Sequence, residues 1–138
     1  MSVSILGAGA FGTALAIALA READVTLWAR DPQDMQTARQ NTRRLPDCPF
    51  PDALSVTGDL QSAVGAQTIL LALPMQQLRG FLNTHAQILS GKALVACCKG
   101  IELSTGAGPV QIINDEVPEA RAAILRAVAG LAVSTGLP

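Results

Sequence analysis

Charge is what this sequence of 138 residues has least of: 15% of its residues are charged, with Lys+Arg 10 against Asp+Glu 11 and a net of -1. An average soluble domain carries about 25%. There is no dense basic run, so the electrostatic footprint that duplex nucleic acid requires is missing. Cysteine is scarce as well. Of the three cysteines two are adjacent (Cys97, Cys98) and none has C-x-x-C spacing, which argues against a disulfide scaffold and a zinc site and leaves no metal centre to expect. A reducing, cytoplasmic setting fits this usage. No charged side chain stands in residues 1–20, and Ala18-Leu19-Ala20 before Arg21 imitates a signal-peptidase site. The basic segment that a signal peptide needs is absent, and Gly7, Gly9 and Gly12 interrupt the apolar core, which also excludes a membrane helix there.

What is present is apolar content, 49% of the chain, enough for one packed domain over residues 1–138. So little charge on its surface implies a further domain, a partner chain or a second copy of the same subunit. The elements alternate. Residues 3–6 form a β-branched run that stops at Gly7, and residues 10–21 an Ala-rich helix slim enough to lie close to a sheet. Residues 24–29 read as a second strand. Asp31 and Pro32 then open a helix to about residue 42, with Asp31 as N-cap, Pro32 at the first helical position and Asp34 in the first turn facing the helix dipole. Pro46, Pro49 and Pro51 enforce a loop. Further strands are expected at 54–57, 68–73, 93–98 and 122–125, and helices at 59–64, 76–84 and 109–116. Strands alternating with helices make this an α/β chain, a doubly wound parallel sheet with helices on both faces.

Gly7-Ala8-Gly9-Ala10-Phe11-Gly12 lies between the first strand and the first helix. In that context G-x-G-x-x-G is the Rossmann-like dinucleotide fingerprint: Gly7 makes the tight turn, Gly9 lets a pyrophosphate approach the backbone, and Gly12 lets the helix pack on its strand. The amides opening the helix then face the phosphates. A glycine-rich bend serving packing alone is the competing reading. At the end of the second strand an acidic residue would bond ribose hydroxyls, whereas a guanidinium suits a 2′-phosphate. Arg30 stands there, and with Asp31 taken as a helix cap the balance tilts from NAD toward NADP. Arg39, Arg43 and Arg44 either add positive potential or are ordinary solvated side chains. Lys99 follows a buried strand, where ligands lie in open α/β sheets: either its cation binds a phosphate or polarises a carbonyl, or it simply marks the end of the strand, the ordinary reading. Pro74 ends the neighbouring strand at the same level and either shapes the nicotinamide side of the crevice or is a plain helix start. His85 reads as plain surface, and Cys97 and Cys98 as small core residues.

These segments resemble a known family. The run from Gly7 to Ala16, then Leu27-Trp28-Ala29-Arg30, the stretch from Asn41 to Pro46, Leu73-Pro74 and Lys99-Gly100-Ile101-Glu102 with Thr105-Gly106 come in the order and spacing of NAD(P)-dependent glycerol-3-phosphate dehydrogenase. The resemblance covers residues 2–125. It implies hydride transfer between NAD(P)H and dihydroxyacetone phosphate, giving sn-glycerol 3-phosphate for phospholipid synthesis. It also implies cofactor contacts at Ala10, Phe11, Arg30 and Lys99, with Lys99 contacting substrate too.

The chain departs from the family twice. Arg44 stands where an aromatic residue usually follows Asn41 by three positions. After Ile124-Leu125 the family has a Ser/Thr-Gly-Pro-x-Phe-Ala segment that contacts substrate; this chain has Arg126-Ala127-Val128-Ala129-Gly130, and a similar pattern returns only at Gly136-Leu137-Pro138. The family's helical substrate domain, with its proton-transfer lysine, does not follow, so no catalytic residue is evident. The expectation is a dinucleotide-binding half that binds NADP(H) weakly and turns over negligibly. Two alternatives stand beside it: a non-catalytic dinucleotide-binding module or subunit completed by a partner chain, and a reductase of the same fold acting on another carbonyl compound.

Overall fold

The computed structural model describes residues 2–125, so the expectations for residues 126–130 and 136–138 lie outside the described residues. Six strands form one parallel sheet: β1 (Ser2–Leu6), β2 (Asp24–Trp28), β3 (Leu54–Thr57), β4 (Thr68–Leu71), β5 (Ala93–Ala96) and β6 (Arg121–Ile124), in the spatial order β3-β2-β1-β4-β5-β6. Five helices connect them: α1 (Ala10–Leu19), α2 (Gln33–Ala38), α3 (Leu60–Ala63), α4 (Leu78–Leu89) and α5 (Pro109–Glu116). This is the Rossmann order, and the expected doubly wound α/β sheet is what the chain forms.

Parallel strands covered on both faces should be continuously apolar, and β4 is the clearest case: Ile69, Leu70 and Leu71 are all buried. Because successive side chains leave opposite faces, the core divides in two. Leu6, Ile69, Leu71, Leu94 and Ala96 meet Leu78, Leu82 and Ile112 of α4 and α5 on one side. Val3, Ile5, Leu27 and Leu70 meet Leu15 and Ala16 of α1 on the other, together with Met35 of α2. The small residues of α1 do what their size suggests, since Ala14 and Ala16 are buried at close range to the sheet.

The second helix differs from expectation. Pro32 itself occupies the N-cap position and no side chain caps the helix, so Asp31 is not the cap. The helix also ends at Ala38 rather than near residue 42. Arg39 turns into the left-handed region (φ 54), where its guanidinium donates to the carbonyls of Pro51 (2.9 Å) and Leu54 (2.8 Å). A carbonyl of the proline-rich loop and one at the start of β3 thus hold the arginine out of the helix. Beyond β4 a 3-10 turn, Met75–Gln77, precedes α4, which runs further than expected and carries a non-helical residue, His85. The His85 ring lies 4.7 Å from that of Phe81; it is half-buried packing rather than free surface.

Candidate dinucleotide cleft

The winding of the chain reverses between β1 and β4: one half of the sheet grows from β1 toward β3, the other from β4 toward β6. In open α/β sheets a crevice opens at that point beyond the carboxyl ends of the strands. Here it is a cleft of about 2050 Å³, lined by the glycine turn, the residues after β2, Leu73-Pro74 and the segment from Cys97 to Gly100. The residues assigned to cofactor or substrate from the sequence, Gly7, Gly9, Ala10, Phe11, Gly12, Arg30, Pro74 and Lys99, line this one space, and Arg39 does not. Its volume exceeds that of an ordinary small-molecule pocket, roughly 300–1,000 Å³.

The three glycines have different reasons. Gly7 adopts φ +117, and a Cβ on it would stand 2.3 Å from the Ala72 carbonyl oxygen just past β4. A Cβ on Gly12 would stand 2.3 Å from the Gly7 carbonyl oxygen, so Gly12 sets how closely α1 approaches the turn. Both are demanded by the fold itself. Gly9 is not: its φ of -74 suits any residue, and a Cβ there would meet nothing within 4 Å. No side chain caps α1, and the N–H groups of Ala10, Phe11 and Gly12 have no partner among the described residues. The first turn of a helix leaves such donors over, with the positive end of the helix dipole behind them. A bare glycine and free amides facing a large cleft fit the phosphates of a dinucleotide, and they fit nothing the fold needs for packing.

The far wall is arginine-rich. Arg30 is exposed just beyond β2, with Asp31 exposed beside it. Since Asp31 caps no helix, the premise that it is occupied fails, and both a carboxylate and a guanidinium are free to meet a ribose or its phosphate. Arg43 and Arg44 line the same wall. Their segment is anchored by Asn41, a buried polar residue whose Nδ2 donates to the Ala8 carbonyl (3.0 Å) and to Thr13 Oγ1 (2.9 Å). The Arg44 amide in turn donates to Asn41 Oδ1 (3.2 Å). The glycine turn and the arginine segment are therefore one hydrogen-bonded unit. Sequence reasoning marked Asn41 only as the start of a motif; an asparagine amid a charged helix end gives no sign that it is buried.

Lys99 is exposed at the other end of the cleft, three residues past β5. Cys97, half-buried in the cleft wall, has its thiol pushed up to about 12 by burial and by the neighbouring Cys98. Burial raises the Cys98 thiol as well. Both are neutral near pH 7 and serve as small packing residues, since a nucleophile needs the thiolate. Sequence reasoning missed an ion cluster built on Glu102 of the same segment. Arg79 of α4 donates through Nε to both carboxylate oxygens of Glu102 (2.9 and 3.0 Å) and through Nη1 to Glu116 (2.9 Å), with Asp115 at 3.4 Å. The Thr105 hydroxyl, then the Arg79 guanidinium, hold the Glu102 carboxyl below its ordinary range against the cost of burial. The Asn83 amide and Arg79 do the same for Glu116. No periodicity connects residues 79, 102 and 116, so this cluster had no local signal.

Among the described residues no helix is long and apolar enough to cross a membrane. The chain is 56% identical over its full length to a glycerol-3-phosphate dehydrogenase [NAD(P)+] of Ruegeria sp. (strain TM1040), of which it covers 44%. It is 54% identical over 91% of its length to that of Roseobacter denitrificans, covering 40%. The chain thus spans less than half the length of these curated relatives. The crystal structure of glycerol-3-phosphate dehydrogenase from Coxiella burnetii superposes with a TM-score of 0.82 at 28% identity, over 89% of this chain and 39% of that one. Residues 2–131 match the family described as NAD-dependent glycerol-3-phosphate dehydrogenase N-terminus, and the chain belongs to that family.

Proposed function

We propose that this chain is the cofactor-binding part of an oxidoreductase that interconverts dihydroxyacetone phosphate and sn-glycerol 3-phosphate with NADP(H) or NAD(H), in the cytoplasm, as a step toward phospholipid precursors. The carrying observation is Gly9: a glycine with ordinary backbone angles and no neighbour within 4 Å of its missing side chain, at the mouth of the cleft between β1 and β4. The amides of Ala10, Phe11 and Gly12 take the pyrophosphate, while Gly7 and Gly12 hold the turn in shape. Arg30 meets the adenosine ribose or its 2′-phosphate, and Pro74 bounds the nicotinamide end. The bound cofactor supplies the hydride. Lys99 contributes a positive charge where the cofactor and a phosphorylated substrate meet, which holds an anionic substrate in place.

Several names of relatives favour this reading, and so does the superposition with a dehydrogenase of the same kind. Lys99 is assigned to holding the anionic substrate, and none of the other described residues lining the substrate end of the cleft is placed to give a proton to a forming alkoxide, so the catalytic set is incomplete among the described residues. An open cleft also keeps water at the reacting atoms and weakens every electrostatic contribution.

The test uses the single tryptophan. Trp28 lines the cleft, so titration of the purified chain with NADPH or NADH should give saturable energy transfer from Trp28 to the reduced nicotinamide. Saturable but weak binding, with no steady oxidation of NADPH on addition of dihydroxyacetone phosphate, is the expected result. No saturable binding of either nucleotide would overturn the cofactor reading. Sustained turnover by the chain alone would overturn the incomplete catalytic set.

A further inference from the structure

The segment carrying Lys99, residues 97–108 between β5 and α5, contains no helix or strand, yet it is pegged along its length. Its start continues the sheet register, the Cys97 amide donating to the Leu71 carbonyl (3.0 Å). Its end is closed on itself around Glu102, whose amide donates to the Ala107 carbonyl (2.9 Å) and whose carbonyl accepts from Gly106 (2.7 Å). The Glu102 side chain accepts from Thr105 Oγ1 (2.6 Å) and from Arg79. Between these points stands Gln76, from the 3-10 turn that follows Pro74. Its Nε2 donates to the Ile101 carbonyl (2.9 Å), and its Oε1 accepts from the Leu103 amide (2.9 Å). One side-chain amide therefore pairs with this segment as a neighbouring strand would. Gln76 and Arg79 lie three residues apart, on the 3-10 turn and the first turn of α4 that follows it, so two consecutive elements hold the two halves of the segment.

The side chain of Lys99 is treated in the opposite way. Among the described residues it has no hydrogen bond and no ion pair, although Glu102, three residues further along the same segment, is paired with Arg79. Ordering a loop backbone costs conformational entropy, and here several side chains are spent on the backbone while the cation it carries is left unpaired.

We propose that Gln76 and the Arg79–Glu102 pair are positioning residues: they couple the Pro74 turn to the segment 97–108 and hold Lys99 at the cleft mouth, ready for an anionic group of the bound nucleotide or substrate. This rests on the proposed function for its ligand, but not for the coupling itself. The two clamps divide the work. Gln76 fixes the stretch next to Lys99, and Arg79 fixes the turn beyond it, so loss of Gln76 is the more direct injury to Lys99 and leaves the ion cluster in place.

The test is a double-mutant cycle on the 138-residue chain with NADPH as probe, read by Trp28 energy transfer, together with amide hydrogen exchange of the wild type and each variant. Gln76→Ala should raise exchange at the Leu103 amide by about tenfold or more while β1 and β4 stay protected. It should weaken NADPH binding by about threefold to tenfold, and by less than about twofold when Lys99→Ala is already present, since residues acting through one another are not additive. Gln76→Glu, which keeps the acceptor for Leu103 and loses the donor to Ile101, should fall between. Equal losses in both backgrounds would mean a general structural role and would overturn the proposal. So would unchanged exchange at Leu103, or a Lys99→Ala variant that binds NADPH as the wild type does. If the wild type shows no NADPH binding at all, the cofactor reading fails on its own account, and the exchange result then decides the coupling alone.

Discussion

The two walls that meet at the cleft mouth are built on opposite plans. The glycine turn, residues 7–12, takes its shape from side chains that are missing: two positions where a Cβ would strike a carbonyl oxygen and one where it would meet open space. The segment 97–108 takes its shape from side chains that are present, Gln76, Arg79, Glu102 and Thr105, three of them making bonds to groups more than twenty residues away in sequence or supplied by another element. A shape set by backbone sterics is local and is written in a short motif. A shape set by distant hydrogen bonds leaves no motif, and it can be altered one bond at a time.

The sharpest way to break this comparison lies within the glycine turn. Gly7→Ala forces a side chain into φ +117 and 2.3 Å from the Ala72 carbonyl oxygen, a backbone atom that cannot swing aside. Strain at such a φ and overpacking together cost about 2–5 kcal/mol, a large part of a small domain's stability. The expected outcome is a chain that unfolds at much lower urea or is recovered only in aggregates. Gly9→Ala is the contrast. With ordinary φ and an empty surround, its stability should stay within about 0.5 kcal/mol of wild type. Its NADPH affinity should fall by about tenfold or more, equivalent to about 1.4 kcal/mol, because the methyl group occupies the space a phosphate needs. Wild-type affinity in Gly9→Ala would remove the strongest support for the proposed function.

A smaller effect is expected on the arginine wall. Arg30→Ala should weaken NADPH by about fivefold to tenfold and leave NADH nearly unchanged, since an exposed charge-assisted hydrogen bond to a phosphate is worth on the order of 1 kcal/mol. Equal losses for both nucleotides would place Arg30 on a group they share. Asp31, freed from any capping role, gives the matching control: Asp31→Asn should lower NADH affinity more than NADPH affinity, because only the unphosphorylated ribose presents its hydroxyl to a carboxylate.

How much was legible follows the same division. The strand order and the convergence of Gly7, Gly9, Arg30, Pro74 and Lys99 on one cleft follow from apolar runs alternating with helices and from one glycine motif in the right place, all of them local signals. At the second helix two signals compete. Asp31 before Pro32 is a good capping pattern, but Pro32 is buried and occupies the cap position itself. Arg39 looked like helix surface until the Pro51 and Leu54 carbonyls, out of reach of any periodicity, drew it away. Glu102 is the plainest case. Its place in the Lys99-Gly100-Ile101-Glu102 motif gives no reason for an acidic side chain, and the reason lies on α4, in Arg79.

That cluster gives the smallest predicted effect and the one most specific to side-chain construction. The Glu102 and Glu116 carboxyls are held below their ordinary value in the folded chain by Thr105, Asn83 and Arg79. An unfolded glutamate titrates near about 4.3. A carboxyl whose folded value lies lower contributes its stability in full above that pH and loses it as pH falls through the folded value. Between pH 7 and 5, therefore, neither group should change the urea midpoint; below about pH 4.5 the midpoint should begin to fall. Glu102→Gln keeps an acceptor for Thr105 and removes the charge facing Arg79, so it should lower the midpoint at pH 7 and flatten its decline in acid. Gly9→Ala, which touches no titrating group, should keep the wild-type slope. If both variants keep it, the carboxylates are bystanders and the segment 97–108 is held by Gln76 and its own turn alone.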